Sequence, residues 1–551
     1  MLPTRSLLAR ALLALTFFAA SAAADEKDQA HHHPRPEKLG TVSFPTSCAP
    51  AVQARFVRAV ALLHSFWYDE AEKAFGEVAA ADPSCALAQW GVAMSLYHPI
   101  WAAPTPAELK RGQEAVAKAR AAGAPTERER DYVAAIEVFF HDADTVDHRT
   151  RAAAYEKAME RVYERYPDDR EAAIFYSLAL LGTAPPSDKT YANQKKAGAI
   201  LNRVLPLQPD HPGVAHYLIH SFDYPELADL ALPAARSYSR IAESSPHALH
   251  MPSHIFVRLG LWDDSIRANE DSAAAARAHV EKTQPGAASF DEMHAVDYLT
   301  YSFLQEGRDG KAREMLDRVR AVKRLDNPNF AAAYALAAVP ARYALERGRW
   351  AEAAALEVAP ASFPWAQFPY AEAITHFARA VGAARSGDPA KARQAIERLE
   401  ALHQAAVDAK IAYWPGQIEI QKRAAAGWLA RAEGRNDDAQ RLLKEAVDLE
   451  AATDKHPVTP GPVAPARELY ADLLMELGRP AEALAEYEGS LKIAPNRLYP
   501  LSGAVRSADA AGQAEKARAL YATLEKVTAQ SDGARPELTK LRASLKAKQR
   551  K

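Results

Sequence analysis

Apolar residues in this chain recur at three- and four-residue spacing, and strand-like alternation is missing, so the pattern predicts helices throughout. YDEAEKAFGEVAAADP (68–83) and QKKAGAILNRVLPLQP (194–209) each line up small and large apolar residues on one stripe and end on a proline. Further along, Gly348, Gly387, Gly434 and Gly478 each separate two such stripes. The punctuation recurs near the roughly 34 residues of a repeated helix hairpin. A single hairpin cannot bury its own stripe, so neighbours must stack into a continuous core with a concave groove. The predicted fold class is all-α, an α-solenoid of helix-turn-helix repeats.

Breaks in the pattern divide the chain. Residues 25–42 form a polar leader containing His31, His32 and His33. TQPGAASFDE (283–292) and RLDNPN (324–329) interrupt the helices, which sets a soft boundary between an array at 43–325 and a second at 326–551 that ends in a basic tail. VAPASFPWAQFP (358–369) and DKHPVTPGPVAPA (454–466) hold too much proline for helix. They are expected to cross an edge or fold into the groove. Trp90, Trp101 and Trp262 fall where such repeats bury large side chains.

Ala71, Phe75 and Pro83, repeated as Ala197, Leu201 and Pro209, together with the regular glycine turns, resemble the tetratricopeptide repeat family, in particular its exported bacterial members. The resemblance spans nearly the whole chain beyond its first residues. It implies a groove that takes a protein or peptide ligand, with residues of the first helix of each pair facing inward.

Arg5 and Arg10 precede an apolar run from Leu12 to Ala20 and small residues up to Ala24, the layout of a secretory signal peptide over residues 1–24. A membrane anchor would need roughly 20 apolar residues, and this run is about half that. No later stretch is long and apolar enough to span a bilayer, so the expected location is periplasmic or secreted. In that oxidising setting the two cysteines, Cys48 and Cys85, are expected to form a disulfide. The formal charge of −2 becomes more negative once Arg5 and Arg10 leave, which argues against nucleic acid as a partner. No glycine-rich phosphate loop and no haem-attachment motif occurs, so neither nucleotide nor haem is expected.

Chemistry concentrates in the histidines. His216 and His220, and again His250 and His254, stand four residues apart, the spacing by which one helix offers two ligands to an ion. His247 lies one turn before the second pair, and His294 with Asp297 occupies the next hairpin. Numbering from Gly260 and Gly307 sets His247 level with His294 and His250 with Asp297. Anchoring on Pro209 sets His216 level with His250, whereas matching LLHSFWYDEA to LIHSFDYPEL sets His220 level with His64. Pro252 either kinks the helix carrying the second pair or begins it, leaving His247 and His250 in a loop. Imidazole and carboxylate without thiolate suit Zn, Cu, Fe or Ni. The alternatives are a metal-free polar patch for an acidic or aromatic ligand and histidines that serve packing. A metal-dependent enzyme would need a general base, for which Asp223, Glu226, Asp291 and Glu292 are nearest in sequence. Ser221 and Ser253 lack a nucleophile elbow, and His141 and His148 lie in an acidic break expected to be solvated. The leading expectation is a helical-repeat binding protein with a metal-binding histidine patch, followed by a metalloenzyme or a plain interaction scaffold.

Overall fold

Helix hairpins succeed one another along the computed structural model, which describes residues 37–100 and 102–549. Among the described residues the extended backbone contributes only an isolated bridge between Ala288 and Leu325, so the fold is all-α. Residues 1–24, most of the leader with its His31, His32 and His33, and Trp101 lie outside the described residues.

Local chemistry explains the elements. The Tyr68–Ala81 helix buries Ala71, Phe75 and Val78 and stops ahead of Pro83. Phe75 packs on Gly91 of the following Ala86–Ser95 helix so closely that a side-chain carbon there would overlap its ring. This is the small-to-large fit that lets consecutive helices approach. Cys48 and Cys85 are bonded as expected, tying the segment before the Pro50–His64 helix to the start of Ala86–Ser95. Trp90 and Trp262 are buried. Leu39 and Val42 are buried too, and Thr41 N–H donates to the Asp210 carbonyl at 2.9 Å, so the last leader residues pack on the repeats.

Helix stacking continues through residues 321–329, because the Phe290–Gln305 helix packs against both Trp262–Thr283 and Phe330–Leu345. Late repeats also return to the middle of the chain. Trp262 Nε1 donates to the Asn496 carbonyl at 3.1 Å, and Leu498 N–H donates to Gln305 Oε1 at 3.0 Å. Buried Arg535 donates to Asp309 at 2.9 Å. Gly260 stands at this seam with φ +67°, and a side chain there would collide with the Pro495 carbonyl. Only glycine meets both demands.

The proline-rich segments settle differently. Residues 358–369 fold onto themselves, with Phe363 and Trp365 buried and Trp365 Nε1 donating to the Pro360 carbonyl. Residues 454–466 run inward instead. Lys455 reaches Asp223 at 3.0 Å, and the Tyr298 hydroxyl donates to the Pro457 carbonyl at 3.1 Å. Arg342 donates to the Gly461 carbonyl at 2.6 Å and to Thr459 Oγ1 at 2.7 Å. This segment therefore occupies the inner face of the repeats.

Candidate metal centre

Four helices supply the histidines. His211 caps the Pro212–Phe222 helix and Pro212 opens it, a start that costs no hydrogen bond because the first amide is unpaired anyway. His216 and His220 then lie one turn apart on its inner face. Ser245 caps Pro246–His250, which holds His247 and His250. Pro252 opens the next helix, Pro252–Leu259, with His254. Met251 between them keeps helical angles, φ −53° and ψ −36°, so Pro252 interrupts the ladder without unwinding the chain. His247 and His250 are therefore helical, and His250 and His254 share a face. His294 comes from Phe290–Gln305.

The six imidazoles do not meet at one point. They fall into two groups of three, His216 with His220 and His247, and His250 with His254 and His294, the ligand nitrogens of each group lying within 4.8 Å of one another. All six are buried. The groups abut, with His220 and His254 ring centres 6.1 Å apart. Across the hairpins His216 neighbours His247 at 5.2 Å and His250 neighbours His294 at 4.3 Å, so rings adjoin about a turn away from the levels that glycine spacing suggested. Each group has an aromatic wall. Phe66, in the left-handed backbone region at φ 53°, lies against His216, His220 and His247. Tyr298 lies against His250, His254 and His294.

Hydrogen bonds fix which nitrogen is protonated in His216, His250 and His254. His216 Nδ1 is 2.7 Å from the His64 carbonyl, which can only accept, so Nδ1 carries the hydrogen and Nε2 a lone pair. His250 Nδ1 is 2.6 Å from Asn269 Oδ1, and the Asn269 amide nitrogen donates to the Ser265 carbonyl. His254 Nδ1 donates to Asp223 Oδ2 at 3.0 Å. The Nε2 atoms of His250 and His254 thus confront each other as two lone pairs at 3.0 Å. The Nε2 atoms of His216 and His220 stand 3.1 Å apart. A spacing of about 3 Å is what two nitrogens show when each is about 2.0–2.1 Å from a shared ion. A carbonyl, an amide and a carboxylate on the far nitrogens make the outer shell that orients histidine ligands.

Electrostatics keeps the rings in their ligating form. Burial takes His216 and His294 down to about 3, with the other imidazoles adding to the effect. His220, His247 and His250 also fall well below the usual histidine range, first through burial and then through mutual repulsion. Burial lowers His254 as well, partly offset by Asp223. Burial opposes ionisation of Asp223, yet Lys455, Arg258 and His254 outweigh it and hold the carboxyl well below its usual range. Arg258 donates to Asp223 at 2.8 Å. Lys455 is lowered by burial to about 8 and remains cationic at neutral pH.

The other candidates stand elsewhere. Asp297 pairs with Arg342 at 2.8 Å and belongs to neither group. Glu292 pairs with Arg277 and Arg318, and Glu226 contacts the Tyr191 hydroxyl. Burial raises Asp291 to about 7, but it too lies outside both groups. Ser221 donates back to its own helix at the Tyr217 carbonyl. His141 is exposed between two helices, and His148 opens the next one. Asp223, named in sequence only as a base, proves to orient His254.

Sequence reasoning also missed a separate buried group. His64 Nε2 and His211 Nε2 both donate to Glu171, at 2.9 and 2.8 Å. The Tyr217 hydroxyl serves His64 Nδ1, and Val214 N–H serves His211 Nδ1. Burial opposes ionisation of Glu171, but His211 and His64 bring it down to about 2. The ligand atoms of these three side chains also lie within 4.8 Å of one another, but every imidazole nitrogen here already has a hydrogen-bond partner in the protein.

A cavity of about 570 Å³ adjoins the site behind residues 454–466. Arg258 and Lys455 form part of its wall, along with Tyr334, Tyr370 and Trp414. Tyr370 and Trp414 stack at 4.4 Å.

Residues 464–497 match the tetratricopeptide repeat family, and they contain the hairpin Ala466–Glu476 and Pro480–Ile493 turned at Gly478. The chain therefore contains a tetratricopeptide repeat. No curated protein sequence matches it. Among solved structures it is similar to a human IFIT1 dimer with PPP-AAAA, at 13% identity over 87% of this chain and 91% of that one, with a TM-score of 0.38. It is also similar to the APC/C hetero-tetramer Cut9-Hcn1, at 13% identity over 82% and 83%, with a TM-score of 0.30. Likenesses this distant carry no ligand across to the present repeats, whose inner face is distinguished by imidazole. No described helix is long and apolar enough to cross a membrane.

Proposed function

We propose that this tetratricopeptide repeat protein is an exported metal-binding protein whose histidine centre holds a transition metal on the inner face of its repeats. The observation that carries the reading is the confrontation of His250 and His254, with both Nδ1 hydrogens committed elsewhere and both Nε2 lone pairs aimed at each other across 3.0 Å. A neutral pair in this geometry is repulsive, and a proton is disfavoured by burial. A bound cation turns the repulsion into coordination. Export is supported by the residue 1–24 pattern and by a disulfide, a bond that persists in oxidising compartments.

The adjoining cavity is the seat for the organic or peptide ligand that the groove implies, its size being ordinary for such sites. The metal reading is tested by elemental analysis of protein purified from its native compartment. A near-stoichiometric transition metal is expected, and His250→Ala with His254→Ala should remove it while the helical circular dichroism persists. Metal-free wild-type protein that also fails to take up zinc or copper in solution would overturn the reading.

A further inference from the structure

We infer that the centre is built for two ions, one per group of three histidines, and that the ion it prefers is monovalent copper. The inference rests on the metal-binding reading and adds number and charge to it. The number comes from the repeated design. Each group takes two histidines one helical turn apart, His216 with His220 or His250 with His254. Each adds a third from a helix farther along the chain, with one helix between, His247 or His294. Each places one aromatic ring against all three, Phe66 or Tyr298. A one-ion centre would call for convergence of the pairs, but His220 and His254 keep ring centres 6.1 Å apart, as do His247 and His250. The stacking of equivalent hairpins has reproduced one three-nitrogen site beside another.

The charge follows from what surrounds the rings. All six ligands are neutral imidazoles. Asp223 already faces two cations, Arg258 and Lys455, and Asp297 is matched by Arg342. The wall of the centre therefore has no anion to spare and leans positive. Two buried dications would add four positive charges to such a pocket, and uncompensated buried charge is costly. Two monovalent ions halve that charge. Three imidazole nitrogens are a full set for copper(I), which accepts three-coordination, while hard oxygen-seeking ions find no carboxylate among the ligands.

The test is anaerobic titration of the full chain with copper(I) against a chromogenic copper(I) chelator, with zinc(II) run in parallel. Wild type should take two equivalents of copper(I), and His216→Gln with His220→Gln, like His250→Gln with His254→Gln, should take one. Gln keeps a polar side chain in the core, and melting curves identify any variant that fails to fold, in which case the single substitutions His247→Gln and His294→Gln replace the pair. Lys455→Gln removes one positive charge, which opposes a dication more than a monocation, and should narrow the preference for copper(I) over zinc(II) by roughly tenfold, the scale of a nearby unit charge at an effective dielectric near 20. One equivalent in wild type, abolished by either pair of substitutions, would overturn the two-ion assignment and leave metal binding intact. Tighter zinc(II) than copper(I) would overturn the assignment of charge. Uptake of neither ion would sink this inference and the metal reading together.

Discussion

Asp223 shows how much one side chain decides here. It accepts from His254 Nδ1, pairs with Arg258 and Lys455, and thereby joins the Pro212–Phe222 helix, the Pro252–Leu259 helix and the 454–466 segment. Asp223→Asn leaves its size intact but weakens the orientation and basicity of His254. Metal affinity should fall by roughly 10- to 100-fold, the usual effect of losing such an outer partner, measured by chelator competition, and the melting temperature should fall as well because Arg258 and Lys455 lose their buried counter-charge. Unchanged affinity would show that His254 is not a ligand. The histidines themselves were legible in sequence because i,i+4 spacing on a helix fixes a shared face whatever the neighbours do. Their partners were not. Asn269, Phe66 and Tyr298 are unremarkable in a linear reading, and Asp297 looked like a ligand because nothing in its own helix reveals Arg342, 45 residues on.

Helices and turns were the most legible level, since each stripe and each glycine turn is a local property. Pro252 shows the limit. Local rules left it either bending the helix or starting it, and the packed repeats keep Met251 helical so that it does both. The disulfide also acts at this scale, closing 37 residues that hold the first helix hairpin. Cys48→Ser with Cys85→Ser should lower stability by about 3–4 kcal/mol on chain-entropy grounds, read as a drop in denaturant midpoint relative to the oxidised wild type. An equal midpoint for both would mean that packing of Leu39, Val42 and Phe44 alone fixes this end.

Across the whole molecule the buried imidazoles couple folding to pH. In the unfolded chain His216 and His294 take a proton near pH 6.5, but in the folded chain only near 3. The unfolded state therefore binds more protons between those values, and stability is full above about pH 6.5 and declines as the pH falls through that window. Metal-stripped protein should lose about 2 kcal/mol per such imidazole between pH 6.5 and 5. Melting temperatures across that range measure it, and a flat profile would refute the buried neutral rings. Long-range closure was the least legible property, because returns such as Asn496 to Trp262 or Arg535 to Asp309 join residues more than 200 positions apart and leave no periodic trace.

The inward run of residues 454–466 gives the centre a history as well as a shape. Lys455 comes 232 residues after the Asp223 it meets, so during synthesis all six histidines are laid down long before the segment that packs beside them exists. An ion admitted in that interval would be enclosed when the later repeats fold back, and its escape would then be timed by the loosening of that segment.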